Sequence, residues 1–367
     1  MNILLNEGLR MLKRRIYVAV SGTKKYQGSA EEICRQILEK VWNGIYVQVS
    51  TGHFCEFYAR DFGWIVQSLL ALKKRLWVEK TLQYALEKYS QAGRITTTIN
   101  PKGKPFDFPT YAPDSLNYLL YSLRMANAKD LIEKYRGFLN SEIQRCYDLA
   151  YDKEKGIVKR HMHFSSMKDH AVNDSSCYNN VMLVCIQKNA KLLHLNNPFK
   201  TNFKKNIKKH FWTGEYFLDD LSGATHIAGD ANLFPFWTGL FTEKSMMKKA
   251  FASIERAHLD KPFPLRYTNK GVKSQEKMIF LEAFAGAYER NTLWMHMGPL
   301  YIEMLATINK GKARQHFEAL TKIIERDKNY LELYWQNTQP FSSPFYYADE
   351  NMSWCANYLT LKEKLIG

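Results

Sequence analysis

His53-Phe54-Cys55-Glu56-Phe57-Tyr58-Ala59-Arg60-Asp61-Phe62-Gly63-Trp64 runs on through Ile65, Leu69, Leu70 and Leu72. A charged Arg60-Asp61 pair stands among aromatics at the start of a segment so apolar that, as a helix, it must be buried on nearly every side. Two roles fit such a pair: Asp61 caps the helix and binds Arg60, or both belong to a site at the helix mouth. Recurrence along the chain shows what kind of assembly such a helix belongs to.

Ser29 with Glu32 three residues on is a capping-box start for a helix over residues 29–42, ended by Gly44. After the apolar segment 61–72 comes residues 77–89, with Trp77, Leu82, Ala85, Leu86 and Tyr89 on one stripe against Glu79, Lys80, Glu87 and Lys88. The alternation continues. Asp114-Ser115 opens an apolar helix answered by amphipathic 130–147, and Asp174-Ser175 opens 178–186, answered by Lys-rich 203–210. Gly229-Asp230-Ala231-Asn232 opens Leu233-Phe234-Pro235-Phe236-Trp237, answered by 244–258; 293–305 is answered by 312–326; Asp349-Glu350 opens 352–361.

Starts at 61, 114, 174, 230, about 290 and 350 recur every ~50–60 residues, an internal repeat of helical hairpins. Each unit pairs a helix with no polar face with one that has a single apolar stripe. Two concentric rings satisfy both patterns, so the sequence predicts an all-α (α/α)6 barrel; an open solenoid would leave most helices one wet face. The whole chain, 1–367, reads as one barrel domain, with 1–28 as an N-terminal extension whose Ile16-Tyr17-Val18-Ala19-Val20 is weakly strand-like.

The composition, 46% hydrophobic with 21 Phe, 22 Tyr and 8 Trp, supplies a large core and leaves aromatics for a cleft that stacks on flat rings. The net charge of +16 comes from Lys residues spread along the chain, which argues against a nucleic-acid partner. Cys34, Cys55, Cys146, Cys177, Cys185 and Cys355 show neither CxxC pairs nor metal-ligand spacing, which suits a reduced, cytoplasmic setting without a metal site. No apolar run is long enough for a membrane span, and no nucleotide motif appears, so neither membrane nor cofactor is expected.

Alternate helices run parallel, so the inner helices of such a barrel all begin at one end. Asp61, Asp114, Asp174, Asp230 and Asp349/Glu350 would then converge on one mouth. Helix capping alone accounts for these positions equally well. The adjoining loops, however, carry Phe54, Phe57, Tyr58, Tyr111, Phe164, Tyr334, Trp335 and Tyr346. Carboxylates between aromatic walls suit polyhydroxylated rings, whose apolar faces stack and whose hydroxyls donate to acids.

His53-Phe54 leading to Tyr58-Ala59-Arg60-Asp61-Phe62, the Asp114-Ser115 start, the Gly229-to-Trp237 run and Trp294-Met295-His296-Met297-Gly298-Pro299 resemble the six-hairpin glycosidases, which include glucoamylases and the neutral or alkaline invertases. The likeness spans roughly residues 40 to 365 and lies in motifs placed in order. It implies an inverting, exo-acting glycoside hydrolase on an oligosaccharide or short glycoside, with an acid and a base about 6.5 to 9.5 Å apart. In the invertase-like pattern the general acid falls at Asp169 of Ser166-Met167-Lys168-Asp169-His170; Asp174 is its rival. The base falls at Glu332 of Tyr330-Leu331-Glu332-Leu333-Tyr334-Trp335, where the pattern's Pro and following Asp are missing; Glu350 is the alternative. By the same resemblance Arg60 and Asp61 grip the terminal sugar, and Phe57, Tyr111, Asp114, Asp230, Trp294 and His296 are further wall residues. A sugar epimerase, lyase or phosphorylase on the same barrel is the competing class, with His161, His163 and His170 as the epimerase's bases. A sugar-binding protein without catalysis is the third.

Overall fold

The apolar repeat of the sequence becomes two rings of helices. The structure, a computed structural model, describes residues 3–268 and 286–366. In the inner ring α3 (Ala59–Ala71) packs on α5 (Pro113–Ala126), α5 on α8 (Cys177–Leu192), and α8 on α10 (Gly229–Trp237). Next, α10 packs on α12 (Met297–Ala306), α12 on α14 (Cys355–Ile366), and α14 closes the circle against α3. Around it lie α2 (Ala30–Val41), α4 (Arg75–Ala92), α7 (Arg136–Ala150), α9 (Phe203–Phe211), α11 (Lys244–Arg256) and α13 (Lys310–Asp327), each against an inner helix. The N-terminal outer helix α2 covers the C-terminal inner helix α14, so the two chain ends seal the toroid. This is the (α/α)6 barrel that the repeat predicts.

Residue pattern explains which helix goes where. Every residue of α10 from Gly229 to Phe236 is buried, so no face remains for water. Outer α4 instead buries Val78, Leu82, Ala85, Leu86 and Tyr89 and exposes Glu79, Lys80 and Glu87. Each fully buried leucine such as Leu82 stabilises by about 1.5–3 kcal/mol before ordering costs. Gly63 lets α3 and α5 approach, since a Cβ there would collide with the Tyr118 ring.

Several boundaries differ from expectation. The segment 130–147 is broken at Tyr135 into α6 (Lys129–Lys134) and α7. Leu293–Trp294 is not helical: it forms strand β6, paired antiparallel with β7 (Leu333–Tyr334), and helix α12 starts only at Met297. (The other short strands are β1, Phe57–Tyr58; β2, Thr98–Ile99; β3, Pro105–Phe106; β4, Tyr151–Asp152; and β5, Ile157–Val158.) The strand-like 16–20 segment lies in helix α1 (Ile3–Ser21), because Arg14 and Val18, four apart, are turned to the barrel while Ile16, Tyr17 and Val20 are exposed. Capping also reads differently. Asp61, Asp114 and Asp230 sit inside first turns behind N-caps Tyr58, Ala112 and Ala228, and their side chains bond to other helices and loops. The Ser29/Glu32 capping box forms as read.

Candidate active site

A pocket of about 490 Å3 lies where the inner helices begin. Its aromatic walls are Phe54, Tyr58, Trp64, Tyr267, Tyr288, Trp294 and Trp354, and its polar groups are Arg60, Asp61, Asp169, Glu289, His296 and Glu332.

Asp169 reaches the pocket on the loop before α8, and charged neighbours hold that loop. Glu289 accepts the backbone N–H of Asp169 on Oε1, at 2.5 Å, and that of His170 on Oε2, at 2.8 Å. Next door, the buried Lys168 ammonium donates to Asp219 at 2.5 Å and to Asp230 at 3.1 Å, and His226 lies 2.9 Å from Asp219. Arg60 Nη1 stands 3.7 Å from the Asp169 carboxylate. A quarter of the Asp169 side chain remains exposed, on the pocket side. Burial pushes its carboxyl up to about 7; Arg60 opposes this, and Glu289 and Asp114 add to it. A carboxylic acid that keeps its proton near neutrality is a proton donor.

Glu332 sits at the edge of the β6/β7 ladder, where Met295 N–H donates to its carbonyl and its own N–H donates to Asp349. Neutral donors hold its carboxylate: the Tyr346 hydroxyl at 2.6 Å, the Asp349 N–H at 3.0 Å, and the Tyr288 hydroxyl. Burial pushes this group up to about 8 against the pull of those three donors. The backbone of the His53-Phe54 motif acts one layer behind, while the Phe54 ring lines the pocket. Asp349 accepts the N–H groups of His53 and Phe54 and the Ser50 hydroxyl, and Gly52 is required there because a Cβ would strike the Asp349 carboxylate.

The pocket floor is closed. Trp64 stacks on His296 at 4.7 Å with rings 7° apart, and burial holds His296 well below the usual imidazole range, hence neutral. Trp354 Nε1 donates to Asp61 at 2.9 Å, and burial raises Asp61 to about 6 against Arg60 and that donor.

The structure therefore brings Arg60, Asp61, Asp169, Trp294, His296 and Glu332 to one pocket. Four expected wall residues lie behind it, a correction with a common cause: a neighbour captures each side chain. Asp114 is fully buried between Arg60, at 2.5 Å, and the Tyr178 hydroxyl, at 2.8 Å. Asp230 is taken by Lys168. Phe57 is buried against Phe62 and Tyr89, and Tyr111 packs on Phe164 with the Arg145 guanidinium 4.8 Å from its ring centre. Of the rival acids and bases, Asp174 is gripped by Arg160 and the His161 N–H; against the upward pull of partial burial, these bonds keep it below its ordinary value, so it holds no proton to donate. Glu350 faces α1, bound by Arg14 at 2.9 Å and the Lys24 N–H at 2.7 Å, and does not line the pocket. His161, His163 and His170 do not line it either; His161 is exposed and His170 stacks on Tyr288.

Glu289, Tyr288 and Lys168 are not singled out as site residues by the sequence, whereas Tyr346 is among the loop aromatics. Tyr288-Glu289 directly precedes the start expected at about 290, so the rule that singled out the other loops reaches this pair as well; the observed helix begins later, at Met297. The six cysteines are free, and no group of His, Cys, Asp and Glu among the described residues is arranged to hold a metal. Among the same residues no helix is long and apolar enough to cross a membrane.

No protein-family profile matches the chain, and no curated protein sequence does. Solved structures do match. A glycosidase variant in complex with glucose superposes with a TM-score of 0.63 at 10% identity, over 92% of this chain and 96% of that one. The glycoside hydrolase family 63 mannosylglycerate hydrolase of Thermus thermophilus, in complex with Tris and D-glycerate, gives 0.64 at 11% identity over 91% of this chain and 100% of that one. A rhamnosidase from Klebsiella oxytoca with rhamnose bound gives 0.64 at 9% identity, over 93% of this chain and 66% of that one. At such identities the likeness is one of fold: the chain has the barrel that these glycosidases share.

Proposed function

We propose that the chain is an inverting, exo-acting glycoside hydrolase, with Asp169 as general acid and Glu332 as general base. The observation that carries this reading is a pair of carboxyl groups, both raised by burial, lining one aromatic pocket in two different environments. Asp169 gives its proton to the leaving oxygen as the glycosidic bond breaks. Glu332 takes a proton from the water whose oxygen bonds to the anomeric carbon from the opposite face. Arg60 and Asp61 hydrogen-bond sugar hydroxyls, and Trp294 and Trp354 stack on the ring. Because Trp64 and His296 close the floor, a chain end enters rather than a chain middle. The solved relatives, named for glucose, rhamnose and glycerate complexes, support a short glycoside as substrate.

With the acid near 7 and the base near 8, the active form, protonated Asp169 with ionised Glu332, is the minority one. The rate should rise with pH up to about 7, stay level to about 8 and fall beyond. Proton NMR of a panel of oligosaccharides and short glycosides tests the reaction: hydrolysis with the inverted anomer appearing first is expected. Release of the retained anomer would remove the inverting mechanism, and no turnover across the panel would remove the hydrolase reading.

A further inference from the structure

At the opposite end of the barrel, where the inner helices finish, two cavities adjoin and share Gln67, Trp237 and Glu303. Every inner helix contributes to their walls: Gln67 from α3, Arg124 from α5, Asn189 from α8, Trp237 from α10, Glu303 from α12 and Asn357 from α14. The cavities are thus coaxial with the catalytic pocket and back onto it across Trp64, which lines both that pocket and the smaller cavity.

We infer that this rear cavity is a second binding site, for a neutral mono- to trisaccharide or its glycoside. A half-buried tryptophan common to both cavities offers a stacking plate, the usual partner of an apolar sugar face. Polar groups of both kinds surround it. Asn357 is buried; its Oδ1 accepts the Ser68 hydroxyl at 2.7 Å, while its Nδ2 donates to no protein group. Burying an amide donor with no acceptor is costly, and a turn of the Asn357 side chain toward the adjoining space would let a ligand hydroxyl accept from it. Arg124 is fixed in place, its Nε donating to Asn189 at 2.9 Å and its guanidinium 5.3 Å from the Tyr121 ring centre. Charge points to a neutral ligand: Lys364 of the smaller cavity is ion-paired with Glu303 of the shared wall, and the cations Arg124 and Lys188 stand near the ends of α5 and α8, where helix ends carry partial negative charge.

The site's own walls carry the inference, so its test is separate from turnover at the catalytic pocket. The full chain carrying Asp169→Asn, which does not consume the probe, is titrated calorimetrically with methyl glycosides and disaccharides of glucose, mannose and rhamnose. Two binding sites per chain are expected for at least one probe. Adding Trp237→Ala should leave one, and so should Gln67→Trp, which fills the junction from an exposed position that the fold does not depend on. In the chain with Asp169 intact, both changes should leave turnover within about twofold. One site per chain throughout, a second site indifferent to both substitutions, or no binding by any probe would overturn the inference.

Discussion

The two walls of the candidate pocket are built from different materials. The Asp169 wall is a loop held by formal charges: Lys168 locked to Asp219 and Asp230, Glu289 on the backbone, Arg60 across the pocket. The Glu332 wall is a strand edge held by neutral donors, two tyrosines and one peptide N–H. Charges act over distance and tune a proton donor in either direction. Neutral donors act only at contact and favour the ionised form of a base without adding a competing charge. The fold thus places two like groups in one pocket and surrounds them with unlike partners.

The comparison breaks most severely when a carboxyl itself is removed. Asp169→Asn and Glu332→Gln should each lower kcat by about 10²–10⁴-fold while leaving the far-ultraviolet circular dichroism unchanged; an unaltered kcat in either would remove that residue from the chemistry. Next comes the charged wall. Lys168→Met takes the ammonium from two buried carboxylates, leaving Asp219 its His226 partner, and should reduce stability by about 3–5 kcal/mol in urea unfolding. Because Lys168 and His226 outweigh burial and hold Asp219 below its unfolded value, the stability this group contributes is present above the unfolded carboxylate range and is lost as pH falls through the folded pKa. A Lys168→Met chain as stable as the parent would show the network to be ornamental.

Smaller changes sharpen the contrast, because the two walls should respond with opposite signs. Glu289→Gln removes a charge that raises Asp169, so the lower limb of the kcat/KM profile should move to lower pH by about 0.5–1 unit. Tyr346→Phe removes a donor that lowers Glu332, so the upper limb should move to higher pH by a similar amount. In both the plateau drops, since the active minority form shrinks. Limbs that move together would mean the two groups share one environment. Smallest is a change far from both walls: Glu32→Ala opens the α2 capping box and should lower the thermal unfolding midpoint only slightly, with kcat untouched.

The barrel was legible because hydrophobic burial is written into periodicity: segments such as 229–237 leave no wet face, and 77–89 leave one. Arg60, Asp61, Trp294 and His296 were equally readable, standing at the starts of apolar helices or inside a motif. What the sequence hid was capture at long range. Nothing local tells that Lys168 reaches Asp230 across 62 positions, or that Arg60 takes Asp114 across 54. An acid in a first turn therefore read as a pocket residue when a basic neighbour had already claimed it. Strand β6 was hidden for another reason: Leu293–Trp294 is a two-residue pairing whose partner lies at 333–334, too short for alternation to register.

The assignment of acid to one wall and base to the other is tested most directly by changing the leaving group. A glycosyl fluoride departs without a proton, so it needs the base but not the acid. Asp169→Asn should turn over the fluoride of the preferred sugar at close to the parent rate while failing on the natural glycoside, and Glu332→Gln should fail on both. Equal loss on the fluoride in the two variants, or survival of Glu332→Gln alone, would contradict the account.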